Sequence, residues 1–252
     1  MTYQIVDIET APDPNALIPE CPDEYLHQGI RENFKPETRL AYEEKNRAAW
    51  PVERRSRGAL DWRLGVITCV SVTKRRTYIG VNADWIDVYV VTQGPTPDGD
   101  VQERDWLPSG VRLRVEGQQE ATLLSNVWHE LSANPVAGFA IRDFDWPWIL
   151  GRSAVHGISP SVRLRAGRYG STDLVDWADV LTWYGAFPRK GWTLSDYARH
   201  FNLPYQPWGD GVGAVEAWEE GRIEDLVRHS VMDGLTTLAL HERFLPMLGA
   251  MG

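Results

Sequence analysis

The sequence predicts an α/β domain in which a mixed central sheet is flanked by helices, with an insertion after the first strand. Three observations carry that expectation. Apolar and β-branched runs cluster in the first half, at residues 3–8, 64–74 and 86–91. Stretches with helical spacing of apolar residues dominate from Glu120 onward. A chain of 252 residues is long enough to bury both kinds of element around one core. Strands at the front followed by mixed helices and strands bury their apolar faces most simply as one layered domain, residues 1–252.

The first strand is expected in YQIVDIETAP (3–12), where Tyr3, Ile5, Val6 and Ile8 are apolar and Asp7 and Glu9 stand two apart at its far end. Side chains at i and i+2 of a strand project from one face, so the two acids point the same way. Residues 11–62 read as a polar, proline-dotted insertion, with a charged surface helix in KPETRLAYEEKNRAAW opened by Pro36 and Thr38. LGVITCVSVTK (64–74) reads as a buried strand, with TYIGV and IDVYVV as its sheet neighbours. TPDGD is turn chemistry and VRLRVEG a further short strand. In EATLLSNVWHELSAN, residues Leu123, Leu124, Val127, Trp128 and Leu131 form one helical stripe. A strand is expected through PVAGFAI, followed by a helix from Trp146 that Asp145 is placed to cap. A short helix in LSDYARHFNLP is closed by Pro204, and a long last helix runs from Ile223 to Phe244.

Composition narrows the function classes. No apolar run approaches the roughly 18 residues of a membrane span, and no basic-then-apolar leader opens the sequence. Two cysteines, Cys21 and Cys69, suggest neither a disulfide framework nor a zinc cluster, so a reducing cytoplasm is expected. The net charge of −9 argues against coating nucleic acid by bulk electrostatics, though not against an enzyme with acids gathered at one site.

Acids gathered at one site are what the sequence offers. Asp7 and Glu9 on a buried strand are costly unless they protonate or meet a cation. Asp145 follows Phe144 at a strand-to-helix junction, with Asp143 as a competitor two residues earlier. On the last helix, Ile223, Val227, Val231, Leu235 and Leu238 form the apolar face. His229 and Asp233, four apart, lie together on another face, about 40° from each other.

The order D-x-E on the first strand, F-D after a middle strand and H-x-x-x-D on the last helix resembles the DEDD-type 3′–5′ exonucleases, which have a ribonuclease-H-like fold. The likeness is greatest to the predicted exonucleases related to the proofreading domain of family-B DNA polymerases, phage-encoded ones included. GALDWRLGVITCVSV is similar to that group's second strand. STDLVDWADVLTWYG, LSDYARHFNLP and GDGVGAVEAWEEGRIEDLVRHSVMDGLTT follow its C-terminal order. The resemblance implies that Asp7, Glu9, Asp145 and Asp233 hold two divalent cations, Mg²⁺ or Mn²⁺, and that His229 handles the attacking water. Hard ions prefer such oxygen donors, and two of them activate a water and stabilise the leaving oxygen. It further implies hydrolysis at the 3′ end of single-stranded DNA, in proofreading or repair, in a host cytoplasm if phage-encoded, with a DNA polymerase as partner. Thr10, Phe144 and Trp192 are the accompanying candidates for substrate contact. The sequence departs from the family at Ala140, where an Asn is usual. His229 stands at the spacing of the family's tyrosine branch, with Arg228 at the fifth place before Asp233.

Two alternatives stand beside this reading: the same chemistry on RNA or oligonucleotides, and a catalytically silent nucleic-acid-binding or polymerase-associated module. Other features read as structural. Asp173, Asp176 and Asp179 form a series expected on a solvated or capping helix face. WGDGVGAVE lacks a P-loop lysine and reads as a turn. VRLRAGRYG and FPRKGW are the best basic tracks for a strand's phosphates, with Tyr169 or Trp192 to stack a base.

Overall fold

The computed structural model describes residues 3–13, 21, 23–77, 84–93, 104–131, 135–162, 173–187 and 192–248. The chain divides into two compact units, Met1–Glu9 with Ile67–Gly252, and Thr10–Val66. A six-stranded sheet runs in the order β4-β3-β2-β1-β5-β6. Its strands are β1 (Gln4–Pro12), β2 (Gly65–Thr77), β3 (Asp84–Gln93), β4 (Val111–Gln118), β5 (Val136–Gly138) and β6 (Leu174–Asp176). β2 and β3 pair antiparallel, whereas β3–β4, β1–β5 and β5–β6 pair parallel, so the sheet is mixed as expected.

Helices cover the sheet: α3 (Glu120–Glu130), α4 (Asp145–Val155), α5 (Trp177–Leu181), α6 (Leu194–His200), α7 (Gly211–Glu219) and α8 (Ile223–Leu248). The predicted stripe of α3 is buried in full, including Leu131 at its C-cap. Leu226, Val227, Val231, Leu235 and Leu238 of α8 share a core with Ile5, Val88, Val90, Leu113 and Trp177. Two glycines set how closely the site-bearing elements approach. A Cβ on Gly234 would stand 2.6 Å from Thr73 Oγ1, so only glycine lets α8 lie directly on β2. A Cβ on Gly138 would stand 2.7 Å from Ile141 Cβ and 3.1 Å from the Val6 carbonyl, which keeps the β5 exit tight against β1.

Several expectations are corrected. β1 continues to Pro12, so Asp7 and Glu9 lie within the strand and not at its end. The strand expected through Ile141 stops at Gly138, because Ala140 takes a left-handed backbone (φ 60°). Asp176 then fastens the turn, accepting from the Ala140 and Arg142 N–H groups at 3.0 Å each. Asp176 and Asp179 are fully buried rather than solvated, and Asp176 also caps α5. α6 ends at His200, ahead of Pro204, after opening with a reciprocal Thr193–Asp196 capping box. Asp210 caps α7 by accepting from Gly213 N–H, so a carboxylate already occupies that glycine-rich helix start. VRLRAGRYG beyond Val162, TPDGD, most of TYIGV and the basic centre of FPRKGW lie outside the described residues.

The second unit contains the stretch expected as an insertion. Its helices are α1 (Asp23–Leu26) and α2 (Pro36–Leu60), the latter with proline at its first turn. Asn46 of α2 donates to the carbonyls of Tyr25, Leu26 and Gln28, and the Tyr25 and Trp50 rings meet at 4.9 Å. No described helix is long and apolar enough to cross a membrane.

Candidate active site

β1, α4 and α8 deliver one acidic cluster. β1 presents Asp7 and Glu9 on one face, and Glu9 is buried. Asp145 is the first residue of α4 and not its cap; Phe144 takes the cap position without a capping side chain. The Asp145 carboxylate turns to β1 instead and accepts from the Ile8 N–H at 3.0 Å. Asp145 is therefore buried, whereas its competitor Asp143 is exposed. α8 supplies His229, Ser230 and Asp233; the Ser230 hydroxyl donates to Asp7 Oδ2 at 3.2 Å.

The electrostatics of the four acids are those of one group. Burial raises the Asp7 carboxyl well above its ordinary range, and the charges of Glu9, Asp233 and Asp145 add to it. Glu9 is pushed up to about 8, first by burial, with His229 opposing and Asp233 and Asp145 reinforcing. Asp145 reaches about 7 through burial, held back by its own N–H and that of Ile8. Asp233 reaches about 6 through burial, held back by His229 and the Trp208 backbone. One of its oxygens, Oδ1, is buried with no hydrogen-bond partner. Four carboxylates this close cannot all ionise without added positive charge.

His229 is the basic counterpart of these acids. Its Nε2 lies 3.4 Å from Glu9 Oε1, and its Nδ1 bonds the Trp208 carbonyl. A carbonyl only accepts, so Nδ1 carries the hydrogen and Nε2 is the atom that gains or loses a proton. Burial alone would lower the imidazole, but Glu9, Asp233 and the Trp208 carbonyl raise it above its ordinary value.

The structure thus brings together Asp7, Glu9, Asp145, His229 and Asp233. The other three candidates have different surroundings. The Thr10 hydroxyl donates to the Ala59 carbonyl, and the Phe144 ring lies 5.8 Å from that of Trp148. Trp192 is exposed and packs on Tyr197 and His200. Ser230 and the Trp208 backbone were not foreseen. Adjacency to His229 could have flagged Ser230, but Trp208 acts through its peptide group, which side-chain patterns do not reveal. As donors, the four carboxylates offer only hard oxygens. Among the described residues, no group of three or more His, Cys, Asp or Glu is already arranged to hold a metal ion.

No protein-family model matches the chain, and no curated protein does. Among solved structures, it is similar to the family B DNA polymerase from the hyperthermophilic archaeon Pyrobaculum calidifontis, with a TM-score of 0.52 and 16% sequence identity. The match covers 98% of this chain but 25% of the polymerase, so the chain spans about a quarter of that protein's length. What this likeness establishes is the fold: a mixed six-stranded sheet flanked by helices, of the ribonuclease-H-like kind.

Proposed function

We propose that the chain is a metal-dependent 3′–5′ exonuclease acting on single-stranded DNA. The observation that carries the reading is the convergence of Asp7, Glu9, Asp145 and Asp233, from three elements, into one buried or half-buried group whose carboxyls are all held above their ordinary range. Such a group is costly alone and is relieved by cations. The donor set fits Mg²⁺ or Mn²⁺ in chemistry, and the orphaned Asp233 Oδ1 is an unused ligand atom. The polymerase likeness supports a nucleic-acid substrate.

The chain's own residues divide the work. Asp7, Glu9, Asp145 and Asp233 would hold the ions, with Ser230 and the Ile8 N–H orienting two of them. Two divalent ions supply charge that favours both the attacking water and the departing oxygen. His229, with Nδ1 anchored on Trp208, takes the water proton at Nε2. Water adds to the phosphorus of the terminal phosphodiester, the bond to the preceding 3′ oxygen breaks, and that oxygen takes a proton from solvent while His229 gives its own back to solvent. The products are a 5′-mononucleotide and a new 3′-hydroxyl.

A second reading is a silent nucleic-acid-binding module, which the polymerase likeness supports equally well. A single experiment separates the two. Strands of DNA and RNA labelled at the 5′ end are incubated with Mg²⁺, Mn²⁺ or EDTA, beside Asp145→Asn. Asparagine keeps an oxygen for the Ile8 N–H, so folding is preserved while a ligand charge is lost. The expected result is a metal-dependent ladder shortening from the 3′ end, slowed at least about 100-fold in the variant. Strand binding without shortening in any metal would assign the silent module instead.

A further inference from the structure

Beside the acidic cluster lies a stack of alternating indoles and guanidiniums. The Arg228 guanidinium carbon is 4.7 Å from the centroid of the Trp208 ring and 5.7 Å from that of Trp106. Arg104 lies over Trp106 in turn, at 5.9 Å. Glu224 serves one end, accepting from Arg104 Nε at 2.5 Å and from Trp106 Nε1 at 2.9 Å. Two donors in the stack remain unserved: Arg104 Nη2 and Arg228 Nε are buried with no hydrogen-bond partner. No carboxylate among the described residues pairs with Arg228.

Stacking fixes the plane of a guanidinium and leaves its N–H groups at the edge, where indole faces offer no acceptor. A buried donor left unmade costs about 1–3 kcal/mol, and more when charged. Two unserved guanidinium donors in one stack present the hydrogen-bonding groups that an anion's oxygens would take. Trp208 ties the stack to the candidate active site: its ring covers Arg228, while its carbonyl bonds His229 Nδ1.

We infer that the Trp208–Arg228–Trp106–Arg104 stack is a phosphate-binding subsite, in which Arg228 and Arg104 engage a backbone phosphate of the strand whose end lies at the carboxylates. Planar guanidiniums match phosphate oxygens in paired geometry, and clamping between indoles presets that geometry before the strand arrives. The inference rests on the nuclease reading for the position of the strand, but its test reads binding and not cleavage.

A 5′-fluorescein single-stranded oligonucleotide is titrated with the chain in EDTA, and with the Asp145→Asn chain in Mg²⁺, across a series of NaCl concentrations. Arg228→Gln, confirmed folded by its melting transition, is expected to weaken binding about tenfold. It should also flatten the dependence of log affinity on log salt by about 0.7, the loss of one single-strand phosphate contact. Arg228→Lys should recover the salt slope while remaining weaker, because the charge returns without the stacked fork. Arg222→Gln, an exposed arginine already paired with Glu220 and Asp225, should bind as the parent does. Inorganic phosphate should displace the strand only at concentrations far above those of the strand itself; displacement at equal concentration would assign the stack to a free anion. Equal affinity and slope in Arg228→Gln, or no strand binding by the parent, would overturn the inference. Absence of cleavage beside an Arg228-dependent slope would sink the nuclease reading alone.

Discussion

Ala140 holds a left-handed backbone, φ 60°, although it carries a Cβ. That conformation costs a non-glycine residue about 1–2 kcal/mol, and asparagine bears it more readily through local side-chain hydrogen bonding. The turn persists because Asp176 accepts from both Ala140 and Arg142 N–H. Ala140 is also where the sequence departs from the exonucleases it resembles, which carry asparagine there. Ala140→Asn is therefore expected to stabilise the chain by about 0.5–1 kcal/mol, raising a thermal midpoint by roughly 2 °C. An unchanged or lowered midpoint would show that the turn is not strained at this position. Asp145 offers a second residue-scale lesson. An Asp ahead of a helix reads as a cap from sequence, yet this one lies one position inside the helix and uses its carboxylate on Ile8 of another element. Sequence order placed it with the other acids but misread its local bond, because the bonding partner is 137 residues away.

Between elements, α3, α4 and β2 are joined by one buried acid. Glu120 accepts from the Ile67 N–H at 2.8 Å, from Arg152 through two nitrogens at 2.9 and 2.6 Å, and from His156 at 2.8 Å. Burial would raise its carboxyl, but these donors together hold it below the ordinary value. Removing the acid takes the Glu120 carboxylate away from buried Arg152, which costs about 3–5 kcal/mol. Glu120→Ala should accordingly lower the thermal midpoint by roughly 10 °C, with Glu120→Gln intermediate because it retains an acceptor. A loss below about 2 °C would mean that water replaces the ion pair readily. Element identity was legible wherever a periodicity was uninterrupted, as in the α3 stripe and in β2 and β3. Element ends were less so, because they depend on distant carboxylates and backbone turns: Asp176 arrests the exit from β5, and Asn202, with φ 48°, follows the end of α6. Glu120 read as no more than a helix start, since its partners lie 32 to 53 residues away in sequence.

Over the whole molecule, the acids' order along the chain was enough to foresee their meeting, because D-x-E, F-D and H-x-x-x-D each sit on an element that the fold must pack. The stack around Arg228 was not legible, since Trp106, Trp208 and Arg228 share no pattern. Taken together, the acids also fix how stability responds to pH. Asp145, Asp233 and Glu9 reach about 7, 6 and 8 in the folded chain, against roughly 4 when unfolded. Between those values the folded state binds more protons than the unfolded one, so metal-free stability falls as pH rises from about 5 to 8. His241 has the opposite slope. Burial holds its imidazole down to about 4, so its contribution is complete above roughly pH 6.5 and is lost as pH falls toward 4. Several raised carboxylates outweigh the one lowered imidazole, so metal-free stability should rise as pH falls from 8 to 5, and His241→Phe should steepen that rise below about pH 6.5. Divalent ions compete with the protons at the same carboxylates and stabilise by mass action. Millimolar Mg²⁺ should then raise the thermal midpoint by several degrees at pH 8 and by little at pH 5, and Asp7→Asn should reduce the gain. Melting curves that coincide with and without Mg²⁺ at pH 8 would show that protons, and not metal ions, are what this cluster was built to hold.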